Sequence, residues 1–139
     1  MNRFIEQQER VYPTALREIK SGKKRTHWMW YIFPQIYGLG SSDTAIKYEL
    51  KSIKEAKQYI NNELLRNRLL EISQAIYDLN GDIEYILEYP DVYKFKSCMT
   101  LFCLISPEYD IFKKNINRYF NGQLCAHTIK IYNKEKAIF

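Results

Sequence analysis

Apolar side chains recur at three- and four-residue intervals along most of this chain, the spacing of one helix face. Phe4, Val11, Ala15 and Ile19, with Gln8 in register, mark a first amphipathic helix that Gly22 ends. Pro13 falls inside that pattern, so a kink or break is expected near Tyr12, because the ring lacks an amide hydrogen and crowds the preceding turn. The aromatic run from Trp28 to Phe33 is too short to assign by period, and Pro34 bounds it. Ser52-Ile53-Lys54-Glu55 is a capping box ahead of Ala56, Tyr59 and Ile60. The next helix carries Leu64, Leu65, Leu69, Ile72, Ala75, Ile76 and Leu79 and stops at Asn80-Gly81. Asp82 caps a short helix through Leu87, and Pro90-Asp91 open a long apolar segment to Ile105. Ser106-Pro107 place a cap and a first-turn proline on a further helix whose apolar face is Ile111, Phe112, Ile116, Tyr119 and Phe120. Asn121-Gly122 close it. Leu124 to Tyr132 reads as a short final helix, although Thr128 to Tyr132 also alternates as a strand does. The expectation is an all-α protein, a multihelical bundle of six to eight helices forming one domain over residues 1–139, with no repeat or linker.

Composition narrows the class. A chain of 139 residues can bury a core without disulfides or metals. Its apolar fraction of 46% is that of a globular protein, and no low-complexity tract argues for disorder. Twelve tyrosines raise the aromatic share to 15%, more than a core needs, and tyrosine suits binding surfaces because it joins a flat face to a polar tip. The net charge of +5 permits attraction to phosphates, nucleic acid or acidic lipid without requiring it, since acidic residues are interspersed nearly everywhere. Basic residues cluster at Lys20 to Arg25 and at Lys94 with Lys96. Cys98, Cys103 and Cys125 are odd in number and fit no disulfide framework. No signal peptide is evident, and no apolar run approaches the roughly 18–20 residues that span a bilayer. A reduced, cytoplasmic, soluble protein without membrane contact is expected.

Chemistry concentrates in three segments. The first, Lys23 to Gln35, holds three cations, His27 and both tryptophans. In a helix His27 and Tyr31 share a face. His27 is a candidate proton donor, proton acceptor or anion contact, the roles histidine side chains serve, while the indoles would wall a pocket and stack on a flat ligand. The competing reading is a core helix with a histidine satisfied at its start. The second segment, Pro34 to Ser42, carries Gly38 and Gly40, which let backbone amides approach an anion, followed by Ser42 or Asp43 as a helix cap. Neither a P-loop lysine nor a strand-loop-helix unit accompanies it, and a tight turn explains it equally. The third, Tyr93 to Ile105, is apolar nearly all round beyond Lys96, yet Lys96, Ser97 and Thr100 form a polar stripe. Such a stripe needs a partner: another helix, water or a ligand. Alternatively Ser97 and Thr100 bond back to their own helix while Lys96 snorkels outward. Cys98, Cys103, Cys125 and His127 lack the paired short spacings of a metal site, and a cysteine nucleophile with His27 or His127 as base has no signature. No metal or cofactor is expected.

The same segments carry a family resemblance. Arg3-Phe4, Gln8 and Tyr12 are followed by Gly22, Lys23 and a His-Trp-x-Trp-x-x-Phe-Pro-Gln core, His27 to Gln35. Gly38-Leu39-Gly40-x-Ser42, Ala45 and Tyr48 come next, then Glu55-Ala56, Tyr59, Leu65 and Arg68-Leu69. The last block is Asp91, Lys94, Lys96, Ser97, Met99, Thr100, Leu101 and Phe102. Across almost its whole length the chain resembles a bacterial family known only as a domain of unknown function, whose members are sometimes mislabelled calpastatin; nothing in it resembles a protease-inhibitor repeat. The resemblance implies a mainly helical fold and no particular activity. Two positions depart from the family pattern: Cys98 stands where a second serine is usual, and Cys125 where an aspartate often precedes the final threonine, Thr128.

These motifs converge on a pocket for a small anionic or phosphorylated, nucleotide-like ligand, as binder or enzyme. Trp28, Trp30, Gln35, Gly38, Gly40, Ser42, Tyr48, Ser97 and Thr100 are the ligand-binding candidates. His27 is the candidate general acid or base and Lys96 the electrostatic stabiliser. Two other functions use the same residues differently. Nucleic acid could bind Lys20 to Arg25 and exposed aromatics, or the aromatic segment could be the hot spot of a protein-interaction domain.

Overall fold

The helical periodicity is realised as nine helices in the computed structural model, which describes residues 1–138. In chain order these are α1 (Asn2–Lys20), α2 (Met29–Ile32), α3 (Asp43–Tyr48), α4 (Ile53–Asn61), α5 (Glu63–Leu79), α6 (Ile83–Leu87), α7 (Asp91–Ile105), α8 (Ile111–Phe120) and α9 (Ala126–Ile138). Nine exceeds the expected six to eight because the aromatic run supplies a four-residue helix of its own, α2. No described helix is long and apolar enough to cross a membrane.

The apolar spacing places α7 at the centre. Phe95, Cys98, Met99, Leu101 and Phe102 are fully buried, and the helix packs against α4, α6, α8 and α9. Around it α1 pairs with α5, and α5 with α8. Edge-on aromatic pairs tie the layers together: Phe4 on Tyr59 at 5.1 Å and Phe33 on Phe95 at 5.1 Å, a geometry the ring quadrupoles favour. Gln8, on the apolar stripe of α1, is buried but satisfied. Its amide donates to the Tyr31 carbonyl at 2.8 Å and to the Tyr59 hydroxyl at 3.0 Å, joining α1 to α2 and α4.

Four expectations are corrected. Of the kink or break expected near Tyr12, no break forms: α1 continues through Pro13 to Lys20. The missing amide and the ring clash cost about 3 kcal/mol, and burial of Tyr12, Ala15 and Ile19 around the proline offsets that. Ser106-Pro107 does not start a helix: the Ser106 amide closes α7 by donating to Phe102 O, and turns follow until α8 begins at Ile111. The strand alternative for Thr128 to Tyr132 gives way to α9, which continues to Ile138 and buries Thr128 and Ile131. The capping box at Ser52 is half made. Ser52 Oγ accepts the Glu55 amide at 3.0 Å, but the Glu55 carboxylate turns to the Lys51 amide and to Arg3.

Among the described residues the extended pairing is a single parallel bridge, Ile36 with Leu50. Tyr37 N–H donates to Leu50 O at 3.0 Å and Leu50 N–H to Gln35 O at 2.8 Å. It closes the Gly38–Gly40 loop and α3 into one lobe beside α2.

Candidate functional site

One buried carboxylate shapes the first wall. Glu18, near the end of α1, receives the Arg25 amide (2.7 Å), the Thr26 amide (3.0 Å) and the Trp28 indole N–H (2.9 Å) on Oε1. Its Oε2 receives the Thr26 hydroxyl at 2.6 Å. Burial raises the pKa of this carboxyl, but the four donors outweigh burial and hold it at about 2, against an ordinary 4.5. The clamp draws Trp28 into the core, 1% exposed, and leaves His27 exposed on the rim.

The first turns of α7 supply the second wall. The Asp91 carboxylate bridges two ammonium groups, Lys24 Nζ at 2.9 Å and Lys94 Nζ at 3.1 Å. Lys94 Nζ also lies 3.4 Å from the centre of the Trp30 ring, and Lys24 Nζ 5.1 Å from that of Trp28, within cation–π range. Lys96 has no carboxylate partner among the described residues and stands 5.6 Å from the Phe120 ring. Lys94 and Lys96 border a cleft of about 340 Å³, together with Gln35, Leu39, Tyr89, Pro90, Tyr93, Cys125 and Ala126. On the other side of Lys94 lies a hollow of about 70 Å³, bordered by Lys24, His27, Trp28, Met29, Trp30 and Asp91.

The sequence candidates divide against this geometry. Gln35 and Lys96 line the cleft, whereas His27 lines the smaller hollow, with Lys94 between the two. Trp30 is half-buried beneath Lys94, and Trp28 is a core residue whose N–H is committed to Glu18, so it offers no open face for stacking. The polar stripe on α7 finds its partner in the C-terminal segment. Ser97 Oγ bonds Thr128 Oγ1 at 2.9 Å, while Thr100 donates to Lys96 O at 2.8 Å and accepts the Cys125 amide at 2.9 Å. Both residues are buried and turned inward. Their effect on the cleft is indirect, because Thr100 anchors Cys125 at its edge.

The glycine loop also answers packing demands. Gly38, at φ +90°, directs its N–H to Glu49 Oε2 at 3.2 Å, so the anion it meets is the protein's own. A Cβ on Gly40 would lie 2.5 Å from that of Ala45. Ser42 caps α3 by accepting the Ala45 amide at 3.1 Å. Tyr48 is buried edge-on against Tyr31 at 4.7 Å. The gap between Trp30, Gln35, Gly40 and Tyr48 amounts to about 10 Å³, room for about one water.

Spacing alone does not single out Lys94, Asp91, Tyr89 or Tyr93 as cleft residues. The available signals were the Asp91–Lys94 pair three apart on a helix, and tyrosines repeating every four residues at 85, 89 and 93.

Among curated proteins nothing matches the chain. Among solved structures it is similar to the crystal structure of the conserved hypothetical protein Rv1873 from Mycobacterium tuberculosis, with a TM-score of 0.91 and 37% identity over 93% of each chain. A family model described as "Protein of unknown function (DUF1810)" matches residues 1–132, a span that contains the Glu18 clamp, the α7 lysines and Thr128. With both cleft walls inside that match, the chain belongs to the DUF1810 family.

Proposed function

We propose that this protein binds a small anionic, phosphorylated ligand in the 340 Å³ cleft, with Lys94 and Lys96 as the anion contacts. The observation that carries this reading is a charge imbalance on a concave wall. Lys94 and Lys96 line the cleft and no carboxylate does, while Asp91, in the adjoining hollow, is shared between Lys94 and Lys24. Asp91 and Trp30 hold Lys94 in place before any ligand arrives, so less side-chain freedom is lost on binding. Gln35 adds an amide at the same wall. The volume falls at the lower end of the roughly 300–1,000 Å³ usual for small-molecule sites. His27, across Lys94, is the group placed to exchange a proton with a ligand that reaches the smaller hollow, and a catalytic role rests on it.

The basic segment offers nucleic acid less purchase, since Lys23 is paired with Glu88 at 2.6 Å and Lys24 with Asp91 at 2.9 Å.

Thermal unfolding in the presence of inorganic phosphate and phosphorylated sugars tests the proposal. A ligand at 100 times its Kd should stabilise the fold by about 2.7 kcal/mol. That gain should vanish in Lys94→Ala and Lys96→Ala and persist in Lys54→Ala, an exposed residue of α4 outside the cleft. Stabilisation that ignores Lys94 and Lys96, or none with any phosphorylated compound, would end it.

A further inference from the structure

We propose that the ligand of this cleft is a single nucleoside phosphate whose base stacks on Tyr89 and Tyr93; the inference rests on the anion site proposed above. The starting point is which rings remain open to a flat partner. Trp28 is 1% exposed, and Trp30 carries the Lys94 ammonium 3.4 Å from its ring centre. Tyr89 and Tyr93 are the aromatic residues lining the cleft, and they are 80% and 57% exposed. They pack edge to face, 5.8 Å between centroids at 82°, so each ring is braced by the other while its remaining surface stays in water. Neither hydroxyl has a hydrogen-bond partner among the described residues. Adjacent rings left in water beside a concave cationic wall mark a binding surface more than a solvated one. Tyr85 continues the row, but Lys23 Nζ lies 4.2 Å from its ring centre.

Charge sets the orientation. On one side of the Tyr89–Tyr93 pair are Lys94 and Lys96; on the other a hollow is lined by Glu84 and Glu88. A phosphate is therefore drawn to the lysine side, since the other side offers Glu84 and a Glu88 already paired with Lys23, which leaves the ring end of the ligand on the tyrosines. The cleft volume falls in the range of small-molecule sites, which suits one nucleotide.

Calorimetric titration of the whole chain separates this inference from the anion site. The probes are AMP, GMP, CMP, UMP, ribose 5-phosphate, inorganic phosphate and a hexanucleotide. In the native protein at least one mononucleotide should bind about 10-fold or more tighter than ribose 5-phosphate, the scale of base–aromatic stacking. Tyr89→Ser with Tyr93→Ser should remove that advantage while leaving ribose 5-phosphate affinity unchanged, and the Phe variants should retain it. Both side chains are exposed, and far-UV circular dichroism checks that the serine variant is folded. Lys94→Ala with Lys96→Ala should weaken every phosphate probe. Equal affinity for ribose 5-phosphate and all four mononucleotides, or a preference that survives the serine variant, overturns the ring assignment and leaves the anion site standing. Silence from every phosphate probe removes both proposals. A hexanucleotide more than 10-fold tighter than any mononucleotide replaces the single nucleotide with a strand.

Discussion

Replacing Glu18 by glutamine keeps the shape of the clamp but removes its charge. An amide oxygen in place of Oε1 can still accept from Arg25, Thr26 and Trp28, and the Thr26 hydroxyl can turn to accept from the new NH2 group. What is lost is the preference of four donors for an anion. With the carboxyl at about 2 in the folded chain and 4.5 as its ordinary value, the charged form contributes about 3 kcal/mol to stability at pH 7. A carboxylate with a depressed folded pKa contributes fully above about pH 4.5 and loses that contribution as pH falls toward 2. By pH 3 about 2 kcal/mol of it should be gone. Urea unfolding followed by far-UV circular dichroism at pH 7, 5, 4 and 3 measures the difference between native protein and Glu18→Gln, which cancels the other acidic groups. The gap should be about 2–3 kcal/mol at pH 7 and shrink to about 1 kcal/mol at pH 3. A gap that stays constant across this range would refute the reasoning, because the variant would then be losing packing and not charge.

Further outcomes follow from packing and thiol exposure. Gly40→Ala should cost about 1–3 kcal/mol by overpacking against the Ala45 Cβ, and adding Ala45→Gly should restore most of it in the same urea assay. Thr128→Val leaves the buried Ser97 hydroxyl unpaired and should cost about 1–3 kcal/mol, whereas Ser97→Ala with Thr128→Val should cost less than the single change. Arg3 donates to the Lys47 and Glu49 carbonyls and to the Glu55 carboxylate; Arg3→Lys cannot make that fork and should lower stability by about 1–3 kcal/mol. With a thiol-specific disulfide reagent, Cys125 at the cleft edge should react while Cys98, fully buried and with its thiol pushed well up by burial, reacts only on unfolding. Detection of Cys98 adducts in the native state by mass spectrometry would contradict the burial argument.

Local signals were legible where one residue acts on its own neighbourhood. Ser52, Asp82 and Ser42 cap the helices that follow them, and Asn80 and Asn121 end theirs in the left-handed region. The all-helical class followed from spacing alone. Elsewhere the sequence left a packing and a ligand reading open, and the residues that bear on the choice are distant. Ser97 and Thr100 read as ligand contacts or as groups paired within the fold, and α9 and its leading residue, 25 to 31 positions away, supply bonds to both, with Lys96 O for Thr100. Gly38 and Gly40 read as a tight turn or an anion cradle, and the partners that favour the turn, Glu49 and Ala45, lie further along the chain. Trp28 looked like a pocket wall because nothing in the order of residues shows that Glu18 reaches across ten positions to hold its indole. The cleft proposed as the site draws on two of the segments singled out from the sequence. The basic and aromatic segments do meet, yet the residue joining them is Lys94, whose role depends on a carboxylate shared with Lys24.

The stacking of Lys94 on Trp30 gives the molecule a built-in optical reporter. It has two indoles: one is sealed in the core, and the other lies beneath the ammonium group assigned to the anion. An anion held by Lys94 changes the field over Trp30, whose ring centre lies 3.4 Å from that ammonium, and so its emission, more than that of the buried Trp28, whose nearest ammonium, Lys24, is 5.1 Å away. Trp30→Phe silences the changing signal without touching the clamp, so occupancy of the cleft is readable in unlabelled protein from the difference between the two emission spectra.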